Sequence, residues 1–372
     1  MSYINELKPF KPLGPGFHIQ EDMDYRGWLQ SDLAEVLGLS VKTVSQLISN
    51  KQPVTLETAR LLSGAFGQSA QFWLNLETNY RLRLETLTEK QKATKRKSLI
   101  YEFMPISEMT KKRWLKKTND VADLEKQVED FWHKPVGDFS FMRQTELPVT
   151  YRKSKAYHHF SDYALQCWFQ MAKNSAEKIK TPEYNKVKLE KLYAEINDYT
   201  VKTNGINLFL KNLMDCGVKF FVLSHLPKTY LDGASFFDKK NPVIVYTGRY
   251  KRSDNFWFTV AHEMAHVLRH LKKTDDYYLD DLYEKQNSKQ EQEADALAQE
   301  KLKHEAIMQF FKDKMKYIAA TDIEACAKKH HIAKSIIAGA LVHEGQIPYT
   351  RLHKYNSDPF EIINRKYLVE ET

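Results

Sequence analysis

The sequence predicts a mostly helical α+β protein built from several segments, with one small sheet confined to its second half. Three observations lead there. Residues 1–84 are short apolar-patterned runs broken by Gly and Pro, and long charged helical text follows them. Runs rich in β-branched or aromatic residues then appear at Val218–Leu223, Ala234–Phe237 and Val243–Tyr246, separated by Pro, Gly and Asp-rich breaks. With 372 residues, 42% of them apolar and 12% aromatic, the chain has material for two or three cores, which excludes a disordered or fibrous protein.

Taken in order, the first segment (1–84) reads as a small helical domain ending in Phe72, Trp73 and Tyr80. A Leu-poor basic stretch with Lys90, Lys92, Lys95, Arg96 and Lys97 follows and marks the boundary to a helical connector (85–188). In that connector Trp114, Phe131, Trp132, Trp168 and Phe169 are spaced as a buried stripe, and no chemistry is legible there. The third segment (189–304) starts with a helical run, Leu189–Met214. It continues through the three strands and ends in two helices, Asn255–Leu271 and Lys289–Lys303. A helical C-terminal segment (305–372) closes the chain, and no internal repeat is visible.

Composition bounds the function classes. No apolar stretch approaches the roughly 18 residues of a bilayer span, and Met1–Pro12 lacks a signal-peptide pattern, so a cytoplasmic protein with no membrane partner is expected. The three cysteines, Cys167, Cys216 and Cys326, are far apart, which argues against disulfides and thiolate metal sites. A net charge of +8 favours a polyanionic partner.

In the first segment, Asp32–Leu37, Gly38-Leu39-Ser40 and Val41–Asn50 have the form of a helix-turn-helix. Ala34 is small enough for a helix crossing and Gly38 suits the left-handed turn. Leu33, Leu37, Leu39, Val44, Leu47 and Ile48 supply a shared core. Ser40 is the expected N-cap. Lys42, Thr43, Ser45, Gln46 and Asn50 then face outward at the end of a helix that would read base edges, with Lys42 and Lys51 near phosphates. Pro15–Tyr80, including Phe72-Trp73-Leu74-Asn75-Leu76, resembles the HigA-type antitoxins, a lambda-repressor-like helix-turn-helix family. The resemblance implies binding of an operator in double-stranded DNA, usually as a homodimer, and pairing with a ribonuclease toxin.

The third segment holds His262-Glu263-Met264-Ala265-His266. At about 100° per residue, Phe256, Val260, Met264, Val267, Leu268 and Leu271 share one arc, so an amphipathic helix is expected with both imidazoles together on another face, able to reach one ion. Zn2+ in a hydrolytic site needs a third protein ligand. His270 is excluded because it lies eight residues, about 12 Å along a helix, from His262. Glu291 and Asp295 sit amid the stripe of Ala294, Ala298 and Leu302, while Glu293 points the other way with Glu300. Carboxylates inside an apolar stripe need neutralising, which assigns Glu291 as third ligand and Asp295 as acceptor from a ligand imidazole N–H. Glu263 is then the general base that returns its proton to the leaving amine. Spacing leaves Tyr277, Tyr278, His270 and His343 open as oxyanion donors.

The strand-helix stretch around that motif, together with Glu291–Leu302, resembles the ImmA/IrrE metallopeptidases over Leu189–Lys303. It departs from them at Ala265 (usually Gly), at Leu297 (usually Phe), and in lacking a Leu-Pro pair after the second helix. The resemblance implies a zincin-like domain with a small antiparallel sheet. Its ligands are His262, His266 and Glu291, its base is Glu263, and its substrate is a helix-turn-helix repressor or antitoxin. Separately, strand Val243–Tyr246 beside the active helix is expected to be the edge on which an extended substrate segment is laid. A DNA-held regulatory metallo-endopeptidase is therefore expected. The alternatives are an antitoxin or regulator whose metal domain senses or scaffolds without turnover, and a protease whose N-terminal helices only recognise a substrate.

Overall fold

In the computed structural model, which describes residues 13–84, 87–136, 139–144, 161–272, 276–280, 289–314 and 317–369, the chain divides into two units, Met1–Lys95 and Arg96–Thr372. The reading of Met1–Pro12 lies outside the described residues.

The first unit is built from α1 (Pro15–Arg26), α2 (Gln30–Leu37), α3 (Val41–Ile48), α4 (Leu56–Phe66) and α5 (Ala70–Leu84). Local chemistry sets these limits. Gly27, Gly38 and Gly67 take the left-handed conformation that stops a helix, and the hydroxyls of Ser40 and Thr55 cap α3 and α4 by accepting from Thr43 N and Thr58 N. Ile19, Leu33, Leu37, Val44, Leu47, Leu62 and Trp73 fill the core, each contributing roughly 1.5–3 kcal/mol of burial. The expected reading helix is shorter than Val41–Asn50: it ends at Ile48, and Asn50 turns away at φ 55°. Its side-chain oxygen accepts from Gly16 N at 2.8 Å. Behind that turn the buried Glu77 carboxylate accepts from Val54 N and from Arg81 Nε, and Arg81 donates in turn to Asn50 O. These bonds fix the chain leaving α3.

In the second unit, α6 (Glu89–Phe103) carries the basic run in its first turns and the division between the units, and its Ile100 and Phe103 are buried. Then come α7 (Ile106–Lys111), α8 (Val121–Trp132), α9 (Ser140–Gln144) and α10 (Asp162–Lys178). The segment read as a connector is no spacer. Its Phe103, Phe131, Trp132, Leu165, Trp168 and Phe169 form one core with Phe221, Leu223, Phe236, Val243 and Val245 of the sheet. The run expected at Leu189–Met214 breaks into α11 (Lys186–Ala194), α12 (Ile196–Thr200) and α13 (Gly205–Asp215). Gly205 is required at the break because a Cβ there would lie 1.7 Å from Tyr199 O.

The sheet comprises β1 (Lys219–Val222), β2 (Gly233–Asp238), β3 (Asn241–Tyr246) and β4 (Tyr277–Asp280), in the order β1-β3-β2-β4. It is mixed, correcting the antiparallel expectation: β1 pairs with β3 in parallel, while β2 runs antiparallel to both β3 and β4. Both faces are covered, so Val243–Tyr246 reads as an unbroken apolar run. Phe221, Val243 and Val245 face the core just described. Phe220, Val222, Ile244 and Tyr246 face a second core, with α14 (Ser253–Arg269), α15 (Lys289–Lys301), α16 (His304–Phe311), α17 (Ala320–His330) and α18 (Lys334–His343). Among the described residues no helix is long and apolar enough to cross a membrane.

All three cysteines are buried and free, and burial pushes the Cys326 thiol up to about 11. Gly16 is the tightest point of the first unit, since a Cβ there would stand 2.0 Å from the Ile48 carbonyl oxygen. Gly16→Ala is expected to lower the stability of that unit by about 1–3 kcal/mol, from overpacking against backbone that cannot yield. Denaturant melts of the N-terminal unit will check this; an unchanged midpoint would mean that α1 does not approach α3 this closely.

Candidate metal centre

Helix α14 runs from Ser253 to Arg269 without Gly or Pro and has Asp254 in its first turn, both of which favour the helix. The sheet lies against it through β2 and β3, and α11, α15 and α18 cover its other sides. It is consequently buried nearly all round, where the sequence suggested one apolar arc. His262 and His266, one turn apart, present their rings together with Nε2 atoms 2.9 Å apart. Neighbouring α15 places Glu291 Oε2 3.1 Å from His262 Nε2 and Oε1 3.3 Å from His266 Nε2. Metal–ligand arms of about 2.0–2.1 Å in a tetrahedron hold ligand atoms roughly 3.3 Å apart. Two imidazole nitrogens and a carboxylate at this spacing fit a single divalent ion.

Each imidazole is held from behind. His262 Nδ1 donates to Asp295 Oδ1 at 2.8 Å, turning the Nε2 lone pair to the site. His266 Nδ1 meets His270 Nδ1 at 3.0 Å, and His270 Nε2 reaches Glu293 Oε2 at 3.3 Å. His270 therefore stands behind a ligand position, away from the Nε2 pair. Glu293 also departs from the helical-wheel reading: it is on the exposed side of α15, yet its long side chain bends back to His270.

Burial would raise the Glu291 carboxyl, but hydrogen bonds and charge from His262 and His266 outweigh it and hold Glu291 well below the ordinary carboxylate range. Burial pushes His266 below its ordinary value, with Glu291 opposing and His262 and His270 adding to the fall. A carboxylate held ionised, beside an imidazole whose protonation burial opposes, suits ligation of a cation.

Glu263 is fully buried on the same helix. Its carboxylate lies against Gly233 at the start of β2: a Cβ there would be 2.5 Å from Glu263 Oε1 and 2.9 Å from Thr259 Cγ2. The sequence reading missed Gly233, whose only signal was an Asp-Gly pair at a strand start. Of the four oxyanion candidates, Tyr278 stacks on His266 at 4.3 Å between centroids, and burial with Asp276 and Glu291 raises its phenol pKa so that it stays a donor. Tyr277, the alternate residue of β4, packs against Phe169 in the other core. His343 pairs with Glu344 at 3.2 Å.

In the first unit, Lys42 and Lys51 are exposed and Gln46 is half-buried on α3. Thr43 Oγ1 shares a 2.9 Å hydrogen bond with the capping Ser40 hydroxyl. Asn50, expected to face outward, is corrected: its side-chain oxygen serves Gly16 N.

Residues 214–342 match the IrrE N-terminal-like domain, Peptidase_M78, and residues 20–73 match a helix-turn-helix family. An uncharacterized HTH-type transcriptional regulator of Haemophilus influenzae is 36% identical over 73 residues, covering 19% of this chain and 68% of that protein. The uncharacterized HTH-type transcriptional regulator YddM of Escherichia coli is 35% identical over 68 residues, 18% of this chain and 72% of its own length. Among solved structures, the Pseudomonas aeruginosa antitoxin HigA with the higBA promoter is 27% identical, spanning 26% of this chain and 99% of that one at a TM-score of 0.20.

Metal analysis of the purified protein is expected to find one ion at this centre, lost on replacing His262, His266 or Glu291 by Ala. Asp295→Ala should weaken affinity about 10–100-fold, and Glu293→Ala should keep the ion. Loss in Glu293→Ala with retention in Glu291→Ala would overturn the ligand assignment.

Proposed function

Because the chain belongs to the helix-turn-helix transcriptional regulators through its N-terminal domain and carries a Peptidase_M78 domain over residues 214–342, we propose that it is a DNA-binding zinc metallo-endopeptidase that cuts a repressor or antitoxin protein and so controls transcription. One observation supports the reading: a fully buried Glu263 stands on the same helix as the two imidazoles, next to His262 in the chain. A purely structural cation has no use for such a carboxylate.

His262, His266 and Glu291 would hold the ion, and Asp295 and His270 fix the imidazoles. Zinc bound there supplies a Lewis acid and an acidified water, whose pKa falls to about 7. Glu263 takes the proton in the low-polarity space beside Gly233 and delivers it to the leaving amine. Tyr278, stacked on His266, would donate to the carbonyl oxygen as charge develops there. The substrate segment is laid as an added strand on β4. This replaces Val243–Tyr246, since β3 lies between β1 and β2 and has no open edge.

On α3, Lys42, Thr43 and Gln46 approach the major groove of an operator, with Lys51 at a phosphate, as a homodimer on a two-fold site. Ser40 and Asn50 contribute by holding the ends of that helix.

Two measurements test the reading. Glu263→Gln should keep its metal and lose about 10²–10⁴-fold in cleavage of a helix-turn-helix repressor, and Gly233→Ala should lose activity with metal retained, because the new methyl displaces the base. Cleavage undiminished in Glu263→Gln would leave the metal domain a sensor or scaffold. In promoter binding, Gln46→Ala should cost roughly 1–3 kcal/mol at the specific site, whereas Lys51→Ala should weaken all duplexes alike and lower the salt slope by about 1. Absence of salt-sensitive binding would make the N-terminal domain an interaction module.

A further inference from the structure

A cleft of about 240 Å³ opens in the second unit between the α12–α13 turn and the first turns of α14 and α18, and no metal-centre residue lines it. Its chemistry is cationic. Lys202 and Lys334 line it and no Asp or Glu does. Lys334 is tied to Glu324 at 2.6 Å, whereas the exposed Lys202 lies over the Tyr199 ring with no carboxylate partner among the described residues.

Helix α18 begins at this cleft without a side-chain cap. Ala333 N is used by Thr200 Oγ1 at 3.1 Å, and Ile336 N and Ile337 N bond back to Ala333 O. The N–H groups of Lys334 and Ser335, which both line the cleft, have no intrahelical acceptor. A second observation stands apart from the helix end. Ser335 lines the cleft and is only 6% exposed, and its hydroxyl makes no hydrogen bond among the described residues. The Ser335 hydroxyl, uncapped first-turn N–H groups and an ammonium with no carboxylate partner line the same cleft, the donors an oxyanion would use. Trp257 and Tyr355 add aromatic rings to the lining.

We propose that this cleft binds a small phosphate monoester. Its phosphate sits on the start of α18 between the Ser335 hydroxyl and Lys202, and its organic part lies against Trp257 and Tyr355. Trp257 belongs to the helix that carries His262, so the occupant adds contacts to the N-terminal turns of the metal helix and raises the melting temperature by mass action.

The test is calorimetric titration of the full chain, at matched ionic strength, with inorganic phosphate, phenyl phosphate and phenol. One saturable site is expected for both phosphates, tighter for phenyl phosphate, with no site for phenol. Lys202→Ala alters an exposed side chain. Ser335→Asp places a carboxylate where a helix start tolerates it and an oxyanion would sit. Each should weaken phosphate binding at least about tenfold with metal content unchanged. Glu291→Ala, lacking the ion, should bind phosphate normally, which separates this cleft from the metal centre. Lys51→Ala should also bind normally. Unchanged affinity in both cleft variants, loss of binding in Glu291→Ala or Lys51→Ala, equal binding of phenol, or no saturable site would each overturn the proposal.

Discussion

The structure depends on placing two imidazoles and a carboxylate inside an apolar core. Removing an ion from water costs several kcal/mol, and here His262, His266 and Glu291 meet between two helices whose Val260, Met264, Ala294 and Ala298 belong to one buried core. That arrangement is tolerable only if each polar atom has a partner. Asp295 and the His270–Glu293 pair occupy the outer nitrogens, which leaves the Nε2 atoms and Glu291 facing one another across a space a cation fits. Two helices must therefore cross at a fixed register, since a one-residue slip of α15 would swing Glu291 away and bring Gln292 to the site.

The remaining architecture holds that register. The sheet supports one side of α14, and Gly233 gives Glu263 room by having no side chain. Gly339 does the same at the other end, where a Cβ would stand 2.5 Å from Asp254 Oδ2, so α18 comes close to the first turn of α14. The helices before the sheet cover its far face, which makes them part of the unit that carries the candidate centre and explains the aromatic stripe of Trp132, Trp168 and Phe169.

Much of this was legible in the sequence, for identifiable reasons. Ligand types at i,i+4 share a helix face whatever surrounds them, so the sequence brings His262 and His266 together, and their place within an alanine stripe turns Glu291 and Asp295 inward. Ser40 and Gly38 obeyed local capping rules that need no tertiary context. What failed was long-range. Strand order is not written in strand sequence, so β3 reads as an edge from its sequence alone, and the short β4 carries too little pattern to read as a strand. Asn50 looked like an outward donor because its partner, Gly16 N, is on another helix. Glu293 lies on the exposed side of α15, and only its reach to His270 gives it a role.

The most direct test of the account is X-ray absorption at the zinc edge of the metal-loaded full chain. It predicts a first shell of nitrogen and oxygen only, with two imidazoles at about 2.0–2.1 Å and one carboxylate, reduced to one imidazole in His266→Ala. A sulfur shell, or a wild-type spectrum with no imidazole scattering, would contradict it.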